Sequence, residues 1–197
     1  MRDAFDLATA GRPIAGELRS GDASVIADCG GHLVLAAIDG LGHGSAAADA
    51  AERARDVVQT RAGEPLTAVV EHCHRALAGT RGAAMALAAV DPAGAVGWLA
   101  VGNVEAAVHR PRRHQQARVE TVFHHAGVVG AQIPTVEMRA TLLRPGDALV
   151  LTTDGVASTY LDDFALGRPA QQTADWIIAH YARPSDDALV VVALYRA

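Results

Sequence analysis

Aromatic residues make up only 4% of this chain, yet half of its 197 residues are hydrophobic. That imbalance restricts the fold more than any other feature. An ample core has to be assembled from Ala, Val, Leu and Ile, and such side chains suit layers in which helices pack closely on sheets. The order of the apolar segments narrows the choice. His32–Ile38 is an apolar run ending in Asp39-Gly40 and reads as a buried strand, with Ala23–Cys29 as its partner across the turn Gly30-Gly31. Ser45–Arg61 is Ala-rich with charges at helical spacing, and after the break at Glu64-Pro65 a second helix covers Leu66–Leu77, closed by Gly79. From Gly82 the pattern becomes extended. Ala83–Val90 and Val96–Val101 form a hairpin around Asp91-Pro92-Ala93-Gly94, followed by strands at Val104–His109, Arg118–Phe123, Met138–Leu143 and Ala148–Thr153. Ala170–Tyr181 is a helix and Ala188–Tyr195 a last strand. Runs of one element type imply an α+β layered fold rather than β-α-β alternation. About 200 residues without repeats or linkers suit a single domain, residues 1–197.

Charge excludes several functions. All 17 basic residues are Arg; there is no Lys, and Asn103 is the one Asn. No P-loop lysine can reach a nucleotide phosphate, and no Schiff-base lysine is available. Net charge is −5, so no nucleic-acid partner is expected. The one basic cluster, Arg110, Arg112 and Arg113 with His109 and His114, contains Pro111, lacks aromatics and reads as a solvated loop. Cys29 and Cys73 are isolated and read as buried reduced thiols. Arg2, Asp3 and Asp6 interrupt any signal-peptide core, and no apolar run approaches the ~20 residues that span a bilayer. A soluble, monomeric, cytoplasmic protein without a membrane partner is expected.

The chemistry lies in the carboxylates. Val34–Gly40 and Leu149–Gly155 are matched units, each an apolar strand delivering one acid, Asp39 or Asp154, followed by a glycine that lets the chain turn sharply. The two strands can lie side by side in a central sheet. Asp22 opens a strand after Ser20-Gly21, and Asp186-Asp187 precedes the last one. Acids converging on one rim need a counter-charge to stay ionised together. All-oxygen donors favour Mg²⁺ or Mn²⁺ over Zn²⁺, and two such ions can position a water for in-line attack on phosphorus. A single Asp-Gly is more often just a turn; the repeated pattern is what points to a site.

In order along the chain stand Ser20-Gly21-Asp22, Asp39-Gly40-Leu41-Gly42-His43-Gly44-Ser45, Arg81-Gly82-Ala83, Val101-Gly102-Asn103-Val104, Thr153-Asp154-Gly155 and Asp186-Asp187. This series resembles the PPM-type metal-dependent serine/threonine phosphatases, in their SpoIIE-like branch, over about residues 20–195. The resemblance implies a four-layer αββα sandwich, two stacked antiparallel sheets flanked by helices. It implies two divalent ions, Mn²⁺ or Mg²⁺. Asp39 would bridge them, the Gly40 carbonyl and Asp22 would serve one, and Asp154 and Asp186 the other. It also implies a phosphorylated protein substrate, by analogy the STAS-domain proteins of a stressosome in bacterial stress signalling. The sequence departs from the pattern in three places. Arg19 is near, but not aligned with, the arginine that eukaryotic members carry; Ala23, Ser24 and Val25 follow Asp22 where many relatives have a second acid; Asp187 stands where many have Asn.

Phosphoryl transfer also needs donors for the phosphate oxygens. Arg81 is the side-chain candidate, with an ion pair at a strand end as its alternative role. His43 is a candidate proton donor to the leaving oxygen, with helix capping as its alternative, and the Gly42-His43-Gly44 N–H groups can face an anion. Glu71-His72-Cys73-His74 would point its ligands apart on a helix, by ~100° per residue, and His124-His125 carries no stronger signal. Two rivals remain. Asp39-Gly40-Leu41-Gly42 looks like the box of a histidine-kinase ATPase, but that fold needs an upstream Asn and Asn103 lies downstream. A catalytically weak or inactive PPM-like interaction domain would show a broken set of acids, whereas Asp22, Asp39, Asp154 and Asp186 are all present.

Overall fold

Strands that are apolar on both faces need cover on both faces, and the fold supplies it by stacking two sheets between helices. The computed structural model describes residues 2–111 and 118–196. In chain order the strands are β1 (Phe5–Arg12), β2 (Asp22–Asp28), β3 (Leu33–Gly40), β4 (Ala83–Val90), β5 (Ala95–Val101), β6 (Glu105–Arg110), β7 (Arg118–Thr121), β8 (His124–His125), β9 (Arg139–Leu142), β10 (Ala148–Thr152) and β11 (Ala188–Tyr195). Helices α1 (Ser45–Arg61) and α2 (Leu66–Ala76) follow β3, and α3 (Tyr160–Asp163) and α4 (Ala170–Tyr181) follow β10. One sheet runs β1-β11-β10-β6-β7 and the other β2-β3-β4-β5-β8, with β9 also on β5. Every pairing is antiparallel except the two-residue β5–β8 pair, which is parallel.

The period-two alternation divides the core into three seams. Leu33, Leu35 and Ala37 of β3 face the other sheet, against Leu149, Leu151, Val191 and Ala193. The intervening Val34, Ala36 and Ile38 face Ala50, Ala54 and Val58 of α1 and Val69 and Cys73 of α2. Val150, Val190 and Val192 meet Ala174 and Ile177 of α4, with Tyr160 and Phe164. The four layers expected from the resemblance are present. Ala47, Ala48, Ala50, Ala51 and Ala54 are buried on α1, so this helix sits unusually close to its sheet.

Three expectations need correction. The strands bearing Asp39 and Asp154 do not lie in one sheet: β3 and β10 belong to opposite sheets, and the acids face each other across the sandwich. The basic cluster is not one solvated loop: His109 is fully buried on β6 against Phe164, with ring centroids 3.8 Å apart, and Arg110 is half-buried with Glu120 at 2.7 Å. Arg112, Arg113 and His114 lie outside the described residues. Cys73 is buried, but Cys29 is half-exposed. Strand β1 had no clear sequence signal, because FDLATAGR mixes Ala, Gly and Thr and the strand is an edge with incomplete burial. No helix among the described residues is long and apolar enough to cross a membrane.

His109 makes the fold acid-sensitive. Among the described residues neither ring nitrogen has a hydrogen-bond partner, and burial pushes its pKa down to about 4 from 6.5. A folded pKa below the unfolded one contributes stability above about 6.5 that is lost as pH falls toward about 4. His109→Leu should remove roughly 2–3 kcal/mol of the stability loss between pH 7 and pH 4. Thermal melts of both proteins across that range check it; parallel losses in the two would contradict it.

Candidate active site

One end of the sandwich collects the polar residues. In the first sheet β10 ends there and β11 begins there, which places Asp154 and Asp186-Asp187 together. In the second, β2 begins and β3 ends there, so Asp22 and Asp39 are direct cross-strand partners. Arg81 precedes β4 and Asn103 follows β5 at the same rim.

The glycines of the two matched units serve close approach rather than unusual backbone angles. A Cβ on Gly40 would lie 2.1 Å from the Ala47 carbonyl oxygen, and one on Gly155 would lie 1.7 Å from that of Asp187. Neither glycine has positive φ; the chain does turn sharply at Asp154-Gly155, where the Val156 N–H donates to the Thr153 carbonyl at 3.1 Å, whereas Gly40 stays in the β3 strand. Gly40 lets α1 press against the Asp39 strand end, and Gly155 lets the Asp154 turn press against Asp186-Asp187. The Gly40 N–H donates to the Gly21 carbonyl at 2.9 Å, tying the Asp22 and Asp39 segments together.

Thr153 joins the two sheets. Its hydroxyl donates to Asp22 Oδ2 at 2.7 Å and accepts the Leu189 N–H at 2.9 Å. Asn103 Nδ2 donates to Asp154 Oδ2. Asp187 accepts the Ile14 N–H on Oδ1 at 2.9 Å, while its buried Oδ2 has no hydrogen-bond partner among the described residues. Asp186 caps its neighbour through the Asp187 N–H at 2.9 Å. The electrostatics show how crowded the rim is. Burial, offset in part by Thr153 and reinforced by Asp187, Asp154 and Asp186, raises Asp22 to about 7. Burial, then Asp22, Asp154, Asp186 and Asp187, raises Asp39 to about 8. Asp154 is raised too, by burial first and then by Asp186.

The proposed acids are thus brought together; the two phosphate candidates are placed differently. Arg81 is exposed and makes no ion pair or hydrogen bond among the described residues, so the alternative of a strand-end ion pair does not apply. Its guanidinium covers Gly42, where a Cβ would lie 2.4 Å from Nη1 and where φ is +90°. His43 is exposed with Nδ1 3.5 Å from Glu17. Arg19 is engaged by Asp49 at 2.8 Å and Glu52 at 3.0 Å on α1. The histidine-rich segments form no cluster: His72 meets Glu64, His74 accepts the Gly130 N–H, and Cys73 points into the core. His125 lies against the Glu137 backbone. Three participants carried no earlier role. Thr153 and Asn103 stood inside the motifs without an assigned part, and Arg183, whose charge lowers Asp154, had no sequence signal at all.

The donor set fits divalent cations. Buried carboxylates repel one another, an Asp187 oxygen lacks a partner, and every donor at the rim is oxygen, as Mg²⁺ or Mn²⁺ prefers. Among the described residues no three of His, Cys, Asp or Glu form a ready-made chelate; Thr153 and Asn103 hold Asp22 and Asp154 instead. Raised carboxyl pKa values contribute stability that is full below about 3.8 and lost as pH rises through about 7 and 8. The metal-free protein should therefore lose melting temperature between pH 5.5 and pH 8.5. Added Mn²⁺ should restore it, most at the higher pH because metal competes with protons, and Asp39→Asn should abolish the restoration. A Mn²⁺ shift that is unchanged in the variant would contradict this.

Comparison with known proteins agrees with this picture. The family model described as Stage II sporulation protein E (SpoIIE) matches residues 29–195. Over 80 residues the chain is 31% identical to the phosphoserine phosphatase RsbX of Bacillus subtilis (strain 168), a match spanning 40% of each chain. A solved structure from work on the bacterial stressosome superposes with a TM-score of 0.85 at 28% identity, covering 96% of this chain and 98% of that one. RsbX in complex with magnesium superposes with a TM-score of 0.85 at 19% identity, covering 97% and 95%, and the PP2C phosphatase domain of Bacillus subtilis SpoIIE with 0.78 at 20%, covering 96% and 63%. With its motifs in order, its acids on one rim and a family model matching all but the first 28 and last two residues, the chain belongs to the SpoIIE family and has the fold of PP2C phosphatase domains.

Proposed function

We propose that the chain is a metal-dependent phosphatase acting on phosphoserine or phosphothreonine in a protein partner. The observation that carries this reading is the juxtaposition at one rim of Asp22 and Asp39 from one sheet with Asp154 and Asp186 from the other. The partial match to a phosphoserine phosphatase supports the substrate class. The likeness, at 28% identity, to a structure from work on the bacterial stressosome supports STAS-domain proteins of a stressosome as partners.

Asp22, Asp39, the Gly40 carbonyl, Asp154 and Asp186 would hold two divalent ions. When bound, such ions lower the pKa of water and offset the charge of phosphoryl oxygens. The chain supplies the rest. Thr153 fixes Asp22, Asn103 fixes Asp154, and the Gly40 and Gly155 contacts hold each strand end in place. Arg81, unpaired among the described residues and lying over Gly42, would donate to the phosphate oxygens. His43 stands at the entrance with its Nδ1 3.5 Å from Glu17. Arg81 and His43 are exposed at this rim, so a phosphate on a folded surface can approach them.

The test is phosphate release from a phosphoserine peptide with Mn²⁺. Asp39→Asn should lower kcat/KM by roughly a hundredfold or more. Arg81→Gln should raise KM for the peptide about tenfold, the loss of one charge-assisted pair. Equal activity of wild type and Asp39→Asn would sink the metal mechanism, and an inactive wild type would favour the interaction-domain reading.

A further inference from the structure

Most arginines near carboxylates in this chain are already paired: Arg19 with Asp49 and Glu52, Arg55 with Asp56, Arg61 with Glu64, Arg110 with Glu120 and Arg196 with Asp6. Arg183 is different. It stands three residues before Asp186, its side chain is exposed, and it makes no side-chain hydrogen bond or ion pair among the described residues.

Its backbone, in contrast, is fastened on every side. The Arg183 N–H donates to the Gly155 carbonyl at 2.7 Å, directly beside Asp154. Its carbonyl accepts Arg12 Nη2 at 2.6 Å and the Asp186 N–H at 3.3 Å. Just before it, Ala182 bridges Val156, and the Tyr181 carbonyl accepts the Ala157 N–H at 2.9 Å. Arg12, at the end of β1, brings a second guanidinium to the same corner and also donates to Pro13. The result is a planar cation on a fixed backbone, held by no hydrogen bond among the described residues although its charge acts on Asp154, so only its side-chain torsions have to be ordered when it meets an anion. Arg81 lies over the turn that follows β3 of the other sheet, so these two guanidinium groups, unpaired among the described residues, stand beside acids of different sheets.

We infer that Arg183, with Arg12 behind it, reads a carboxylate next to the phosphoserine in the protein substrate, making this corner a specificity site for acidic flanking sequence. The inference rests on the phosphatase reading. It assigns Arg183 to the polypeptide around the phosphate and not to the phosphoryl group. A guanidinium fork matches an Asp or Glu carboxylate bidentately. Selection for acidic neighbours also suits a rim that would otherwise repel them: five aspartates gather there, and even two divalent ions would not fully offset their charge.

The experiment compares two phosphoserine peptides of equal length, one with Asp on both sides of the phosphoserine and one with Ala, alongside p-nitrophenyl phosphate, all with Mn²⁺. Wild type should favour the Asp peptide by about fivefold in kcat/KM, carried by KM, the size of one good surface ion pair. Arg183→Gln should bring that ratio to about one, and Arg183→Lys should keep part of it because the charge survives. The ratio is internal to each protein, so a partial loss of folded material does not affect it. A wild type without preference, or an Arg183→Gln variant that keeps the wild-type ratio, overturns the inference. A wild type that hydrolyses p-nitrophenyl phosphate but shows no flank preference overturns the inference alone; one that hydrolyses no substrate overturns the phosphatase reading itself.

Discussion

Everything at this site follows from placing like charges where protein alone cannot neutralise them. Asp22 and Asp39 face each other across adjacent strands, and Asp154, Asp186 and Asp187 reach the same rim from the other sheet. Burial and mutual repulsion raise Asp39 to about 8, so without a counter-charge the cluster favours protonated carboxyls. Such a cluster costs stability in any protein that uses it merely as structure. It is understandable as the oxygen cage of divalent cations, whose charge replaces those protons.

The rest of the fold serves that placement. Two sheets must stack closely enough for Thr153, at the end of β10, to reach Asp22 at the start of β2 with a 2.7 Å hydrogen bond. An intersheet seam rich in Ala, Val and Leu keeps the layers thin. Outside the sheets, small residues do the same: Gly40 lets α1 approach the Asp39 strand end, and the alanine face of α1 lies flat on its sheet. Scarcity of aromatics, the feature that first restricted the fold, is thus a condition of the site. Of the few rings, Tyr160 and Phe164 gather with His109 in the outer layer under α4, while Phe5, Trp98 and Tyr195 sit in the intersheet seam.

Much of this was legible from sequence. Helix α1, strand β4, helix α4 and strand β11 begin and end where their patterns predict, because each is long and fully patterned. Their identity as layers followed from apolar runs with cover needed on both faces. What sequence could not supply was pairing between distant segments. The Asp39 and Asp154 strands look alike, yet they belong to opposite sheets, and only the topology decides that. His109 looked solvated because its neighbours are arginines; alternation along β6 turns it inward instead. Arg183 was invisible because its position depends on the Gly155 contact, which joins residues 28 apart in sequence. The motif residues themselves, from Asp22 to Asp186, all stand at the rim, since a motif records a site that its fold already assembles.

The central claim is that these aspartates hold two divalent ions. Anomalous diffraction from crystals soaked in Mn²⁺ tests it most directly. The account predicts two peaks between the carboxylates, one beside Asp22, Asp39 and the Gly40 carbonyl and one beside Asp39, Asp154 and Asp186. Fully soaked crystals with no anomalous peak among these residues, or with Mn²⁺ bound only elsewhere on the surface, would contradict it.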